Sequence, residues 1–129
     1  MLAQSFMTHT ELGVTAEEHT ALIAVLGMLE RGELVHDQRD SRGCHLQIPH
    51  GFSMAFAGTS CGTTACIGGW AAALMGINQS DYVNGRHSRG LRNLYWPGKI
   101  GWDAAPAQAA FALRSFLSTG KPNWAEAMA

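Results

Sequence analysis

The sequence predicts an α+β domain that is predominantly α, with about three main helices and a small β-hairpin packed on them. Three observations carry this. Apolar residues recur at helical spacing in three separate stretches. A turn-forming Pro49-His50-Gly51 parts two short β-like runs, residues 44–48 and 52–57. The chain has 129 residues, 47% hydrophobic and 15% charged, against about 25% charged in soluble proteins at large. That length suits one domain, 1–129, and that composition can bury a core rather than stay disordered.

The elements follow in order. Residues 1–12 read as a mobile arm. Thr15 caps a helix near 15–31, with Glu17 and Glu18 in the first turn, where the helix dipole favours acids. Leu22, Val25, Leu26 and Leu29 form its stripe and Gly32 stops it. Residues 37–43 read as a loop, and the hairpin that follows must lie on helices, because two strands alone are marginal. Thr63 or Thr64 then caps a central, fully buried helix with Ile67, Trp70, Ala71 and Leu74 on one side and Cys66, Gly69 and Ala73 on the other, ended by Gly76. Gly68 and Gly69 each cost about 1 kcal/mol inside a helix, so close approach of another backbone is the expected return. Leu91, Leu94 and Tyr95 make a short helical turn stopped by Pro97 and Gly98. The last helix starts at Pro106, carries Ala109, Leu113, Phe116 and Leu117, and ends at Gly120, with Trp124 folding back as an anchor.

Charge is uneven although the net is −1. Residues 1–40 hold seven acids and two bases, and residues 41–129 three acids and seven bases. Such asymmetry can steer a partner or let copies pack head to tail as a homo-oligomer; a charged first helix beside a basic loop gives the same arithmetic. No apolar run is long enough for a membrane span, and the first residues lack the pattern of a secretory signal. The three cysteines then read as reduced thiols in a cytoplasmic protein. Phosphate-binding glycine loops, nucleophile elbows and H-E-x-x-H are missing, and no cofactor is expected.

Three constellations could carry chemistry. Cys61 and Cys66 stand at a helix start, where a thiol's pKa is lowered, and His45, His50 or His87 could act as base; the enzymatic reading pairs Cys61 with His87. The run Cys61-Gly62-Thr63-Thr64-Ala65-Cys66 superficially resembles the start of the catalytic helix in bacteriocin-processing, papain-like peptidases, although no His-plus-Asp pair follows on an evident strand. Second, His36, Cys44, His45, His50, Cys61 and Cys66 lie within 31 residues. They include zinc-type donors but lack tight C-x-x-C or H-x-x-x-H spacing, so packing and surface roles explain them as well. Third, Arg86, Arg89 and Arg92 recur at three-residue spacing up to Lys99, beside Tyr82, Tyr95, Trp96 and Trp102. Guanidinium groups on one helical side can grip carboxylates or phosphates, and aromatics can stack bases. Arg86, Arg89, Arg92, Tyr95 and Trp96 are therefore the expected binding residues; a solvated loop is the bland alternative.

Phe52-Ser53-Met54, Cys61 to Ala71, Leu91-x-x-Leu94-Tyr95-x-Pro97, Pro106-Ala107-Gln108-Ala109-Ala110 and Thr119-Gly120-Lys121-Pro122-Asn123-Trp124 occur in order. Together they resemble a family of small uncharacterised phage and bacterial proteins with a Cys-Gly-Thr-x-x-Cys-Ile-x-Gly-Trp-Ala motif. The resemblance implies a compact intracellular domain of mobile-element type and carries no activity. The expected function is non-enzymatic binding to another protein, as an inhibitor or regulator of host machinery. The alternatives are a cysteine-dependent hydrolase using Cys61 and a nucleic-acid-binding module using Arg86–Lys99.

Overall fold

The computed structural model describes residues 6–36, 51–54 and 64–129, of which His36 and Thr64 are described by their backbone alone. Its organising element is helix α2, Ala16–Glu30, which follows the short α1, His9–Leu12. Both begin with reciprocal caps: Thr8 pairs with Glu11 and Thr15 with Glu18, each threonine accepting from the glutamate N–H while the carboxylate accepts from the threonine N–H. Ala21, Leu22, Val25, Leu26 and Leu29 of α2 are buried. Two adjacent residues per turn make a stripe broad enough for two neighbours, and α2 packs against both α3, Ile67–Met75, and α6, Pro106–Thr119. Each fully buried Leu here contributes about 1.5–3 kcal/mol of apolar transfer. The start of the described chain is tied down: Met7 N–H donates to Leu117 O at 2.7 Å and His19 Nε2 to Met7 O at 2.9 Å.

The predicted α+β hairpin architecture is corrected. The described residues are mainly helical, and their extended parts are three two-residue segments: β1, Val35–His36, β2, Gly51–Phe52, and β3, Thr64–Ala65. β2 lies between β1 and β3 and runs parallel to both. Both hydrogen-bonding edges of Gly51–Phe52 are thus taken by parallel neighbours, which excludes an antiparallel hairpin partner there. Residues 44–48 and 55–57, the other parts of that hairpin, lie outside the described residues, as do 1–5 and the 37–43 loop. Phe52 enters the core and Trp70 Nε1 donates to Gly51 O at 2.9 Å, tying β2 to α3.

Helix α3 also differs in detail. Its N-cap is Cys66, whose Sγ accepts from Gly69 N–H at 3.3 Å, not Thr63 or Thr64. Its first half is buried, but Ala73 is exposed and Leu74 half-exposed, so the helix is buried at one end only. Gly68 is required by side chains rather than backbone: a Cβ there would stand 2.9 Å from Val83 Cγ2 and 3.0 Å from Tyr95 Cδ2. Beyond the Gly76 cap, which is left-handed at φ 74°, come α4, Gln79–Asp81, a π-turn over Tyr82–Arg86, a 3₁₀ turn over Arg89–Leu91, α5, Arg92–Tyr95, and a 3₁₀ turn over Gly98–Ile100. The last element, α7, Trp124–Ala127, brings Trp124 back as expected: it is buried and its Nε1 donates to Asn93 O at 3.1 Å. Among the described residues, no helix is long and apolar enough to cross a membrane.

Candidate functional site

The π-turn and the elements after it build a cleft of about 460 Å³ lined by Asn84, Gly85, His87, Arg89, Arg92 and Trp96. Single π-turns are uncommon and recur at functional sites. Here the turn closes on one carbonyl: Tyr82 O accepts from the His87 N–H at 3.0 Å and from His87 Nδ1 at 3.0 Å. A carbonyl only accepts, so Nδ1 carries the proton of this bond. The imidazole packs against two aromatic neighbours, its centroid 6.1 Å from the Tyr82 ring and 5.2 Å from the Tyr95 ring, which are themselves 5.6 Å apart.

Beneath the cleft lies a buried polar chain. Tyr82 donates its phenolic O–H to Glu18 Oε2 at 2.7 Å. Tyr95 OH stands 2.8 Å from Tyr82 OH; with the Tyr82 proton already committed, Tyr95 is the donor. Glu18 also accepts from Ser88 N–H at 3.0 Å, from Ser88 Oγ, and from Thr15 N–H at 2.9 Å. Burial works to raise the Glu18 pKa, and the bonds from Ser88, Thr15 and Tyr82 outweigh it, so the carboxyl sits below its ordinary range. The same burial pushes both tyrosines up, Tyr95 well above the usual phenol range. This chain fixes Ser88 and, with it, the flanking His87 and Arg89. Gly90 completes the seat, since a Cβ there would meet Leu12 O at 2.5 Å.

The cleft is cationic on its described lining, with two guanidinium groups and no carboxylate. Among the described residues, the side chains of Arg86, Arg89, Arg92 and Lys99 make no ion pair or hydrogen bond. Trp96 is 53% exposed although its Nε1 donates to Val83 O at 3.1 Å, so the indole is held and not buried. It also lines a second, apolar concavity of about 350 Å³ with Met54, Tyr95, Pro97, Lys99 and Trp102. Trp102 is 55% exposed.

Of the predicted binding residues, the structure brings Arg89, Arg92 and Trp96 into one cleft. Tyr95 is buried behind it, and Arg86 is exposed but does not line it. The three arginines do not share a helical side, because each stands in a different kind of turn: π, 3₁₀ and α. His87 joins the cleft; Cys61, its proposed nucleophilic partner, lies outside the described residues. Cys66 is buried, and desolvation pushes its thiol up despite the N–H bonds of Gly69 and Gly68, the opposite of the lowering expected at a helix start. Of the metal candidates, Cys44, His50 and Cys61 lie outside the described residues, His36 is described by its backbone alone, and Cys66 caps α3. Among the described residues, no three His, Cys, Asp or Glu gather around a common point. Sequence reasoning missed Glu18 and Ser88 as the frame, and Asn84 and Gly85 as lining.

No protein-family model, curated protein or solved structure matches this chain.

Proposed function

We propose that this chain is a non-enzymatic binding domain that engages an acidic surface of another protein through the Arg89–Arg92–Trp96 cleft. The observation that supports this most directly is two guanidinium groups that make no ion pair or hydrogen bond among the described residues, beside a held, half-exposed indole. Arg and Trp are the residues that most often dominate binding energy at interfaces, because each combines apolar area with directed donors. Glu18 holds the backbone on which they stand through Tyr82 and Ser88, so the main chain needs little reordering on binding, and the ordering cost falls on the two arginine side chains. Following the resemblance to phage and bacterial proteins, the partner is a component of host machinery that this domain inhibits or regulates.

The test compares immobilised wild-type chain with the Arg89→Ala/Arg92→Ala/Trp96→Ala variant in a bacterial lysate. A stoichiometric protein captured by the first and lost by the second supports the reading. Capture that ignores the substitutions, or no reproducible partner, counts against it. A nucleic-acid module predicts instead that a labelled single-stranded oligonucleotide binds with a steep salt dependence and that binding falls in the same variant. The net charge of −1 favours the protein reading.

A further inference from the structure

Trp96 is common to two concavities of opposite character. On one side lie Arg89, Arg92, His87 and Asn84; on the other Met54, Pro97 and Trp102, with Lys99 as the one charged group. A ligand filling only the first would leave the exposed Trp102 unused, and one filling only the second would leave both guanidinium groups unneutralised. We propose that the two are halves of one groove for an extended acidic peptide segment. An Asp or Glu side chain of that segment sits between Arg89 and Arg92, and an apolar side chain packs against Trp96 and Trp102.

This rests on the reading of the cleft as a protein-binding surface and adds the partner's chemistry and spacing. An extended chain rises about 3.3 Å per residue and returns side chains to the same face at every second position. An acid and an apolar residue that both face the protein are therefore an even number of positions apart. A carboxylate can accept from both guanidinium groups at once, which a neutral amide cannot do with the same charge assistance. Gly85 leaves the polar half open: a Cβ built there meets no atom within 4 Å. Gly85 lines the cleft, so a larger side chain there would take up space at the cleft while its Cβ meets no core atom.

The experiment uses the full chain and synthetic Gly/Ser peptides that carry one Glu and one Leu or Phe at every short spacing, in both orders, read by fluorescence anisotropy. The expected result is binding that needs both the acid and the apolar residue and is tighter for pairs an even number of positions apart than for odd-spaced pairs. Replacing Glu by Gln in the peptide, or Arg89→Ala with Arg92→Ala, should each weaken binding by about tenfold or more, the scale of a lost charge-assisted hydrogen bond, and Gly85→Leu should weaken it by occupying the cleft. Unchanged circular dichroism would show that the variants fold. Binding indifferent to the acid, to the spacing or to Gly85→Leu overturns the inference, as does no binding above the Gly/Ser background. So does displacement of the peptide by a single-stranded oligonucleotide that binds the same cleft more tightly. Lysate capture that still depends on Arg89, Arg92 and Trp96 would then leave the protein-binding reading standing while this inference falls; capture indifferent to them removes both.

Discussion

The Glu18 carboxylate, in the first turn of α2, accepts a 3.0 Å hydrogen bond from the backbone N–H of Ser88, 70 residues along the chain. The same carboxylate caps its own helix through Thr15 N–H and takes the Tyr82 hydroxyl proton. One buried acid thus joins the start of the core helix to the rim of the cleft. Glu18→Gln keeps the shape but replaces an accepting oxygen with a donating amide that faces other donors. We expect it to lower unfolding free energy by about 2–3 kcal/mol, the scale of hydrogen bonds to a charged group, with a lower urea midpoint at unchanged slope. Glu11→Gln, in the exposed cap of α1, should cost well under half as much.

The same carboxyl makes stability depend on acid. Its folded pKa lies below the ordinary carboxylate value of 4.5, so its contribution is fully present above that value. As pH falls below 4.5 the unfolded chain takes up a proton first, and the contribution is lost progressively through the folded pKa. Urea midpoints measured from pH 7 downward should therefore fall less steeply in Glu18→Gln than in wild type across that acid window. Parallel profiles for the two proteins would show that Glu18 does not supply the acid sensitivity.

Gly68→Ala should destabilise although alanine is the better helix former. The intrinsic gain is about 1 kcal/mol. Against it, the new Cβ would lie 2.9 Å from Val83 Cγ2 and 3.0 Å from Tyr95 Cδ2. Neither neighbour can give way easily: Val83 is buried, and Tyr95 is held by its hydroxyl on Tyr82. Overpacking of this kind costs about 1–3 kcal/mol, so the net change measured by thermal unfolding is a loss. Gly85→Ala, with open space around its Cβ, should be neutral or stabilising in the same assay.

How far these relationships could be read from the sequence depended on their range. The helix at Ala16–Glu30 was legible because its signals are local: the Thr15 cap, two acids in the first turn, and Leu22, Val25, Leu26 and Leu29 at helical spacing. The final helix was legible for the same reason, from Pro106 to the left-handed Gly120. The hairpin was misread because short β-like runs around Pro49-His50-Gly51 say nothing about which strand pairs with which. The partners of Gly51–Phe52 come from Val35–His36 and Thr64–Ala65, both distant in sequence and both parallel. The α3 cap was misassigned because threonine is a favoured cap and a thiol is not; burial of Cys66 lets its sulfur take that place. In the site, the residue types at Arg89, Arg92 and Trp96 were legible, but their geometry was not. Three-residue spacing implies a shared side only on one regular helix, and here the backbone passes through π, 3₁₀ and α turns. Glu18 was legible as a helix-start acid, whereas its bond to Ser88 exists only once the chain has folded.

Cys66 should be chemically silent in the native protein. The sulfur is buried and occupied as an acceptor for Gly69 N–H at 3.3 Å, and desolvation raises the thiol's pKa. Alkylation needs the thiolate and access to solvent, and the fold denies both. Iodoacetamide at neutral pH, followed by peptide mass mapping, should leave Cys66 unmodified without denaturant. It should label Cys66 completely in concentrated urea, at a rate between those limits that tracks global unfolding. A Cys66 that reacts in native protein as fast as free cysteine would mean that the N-terminus of α3 opens locally.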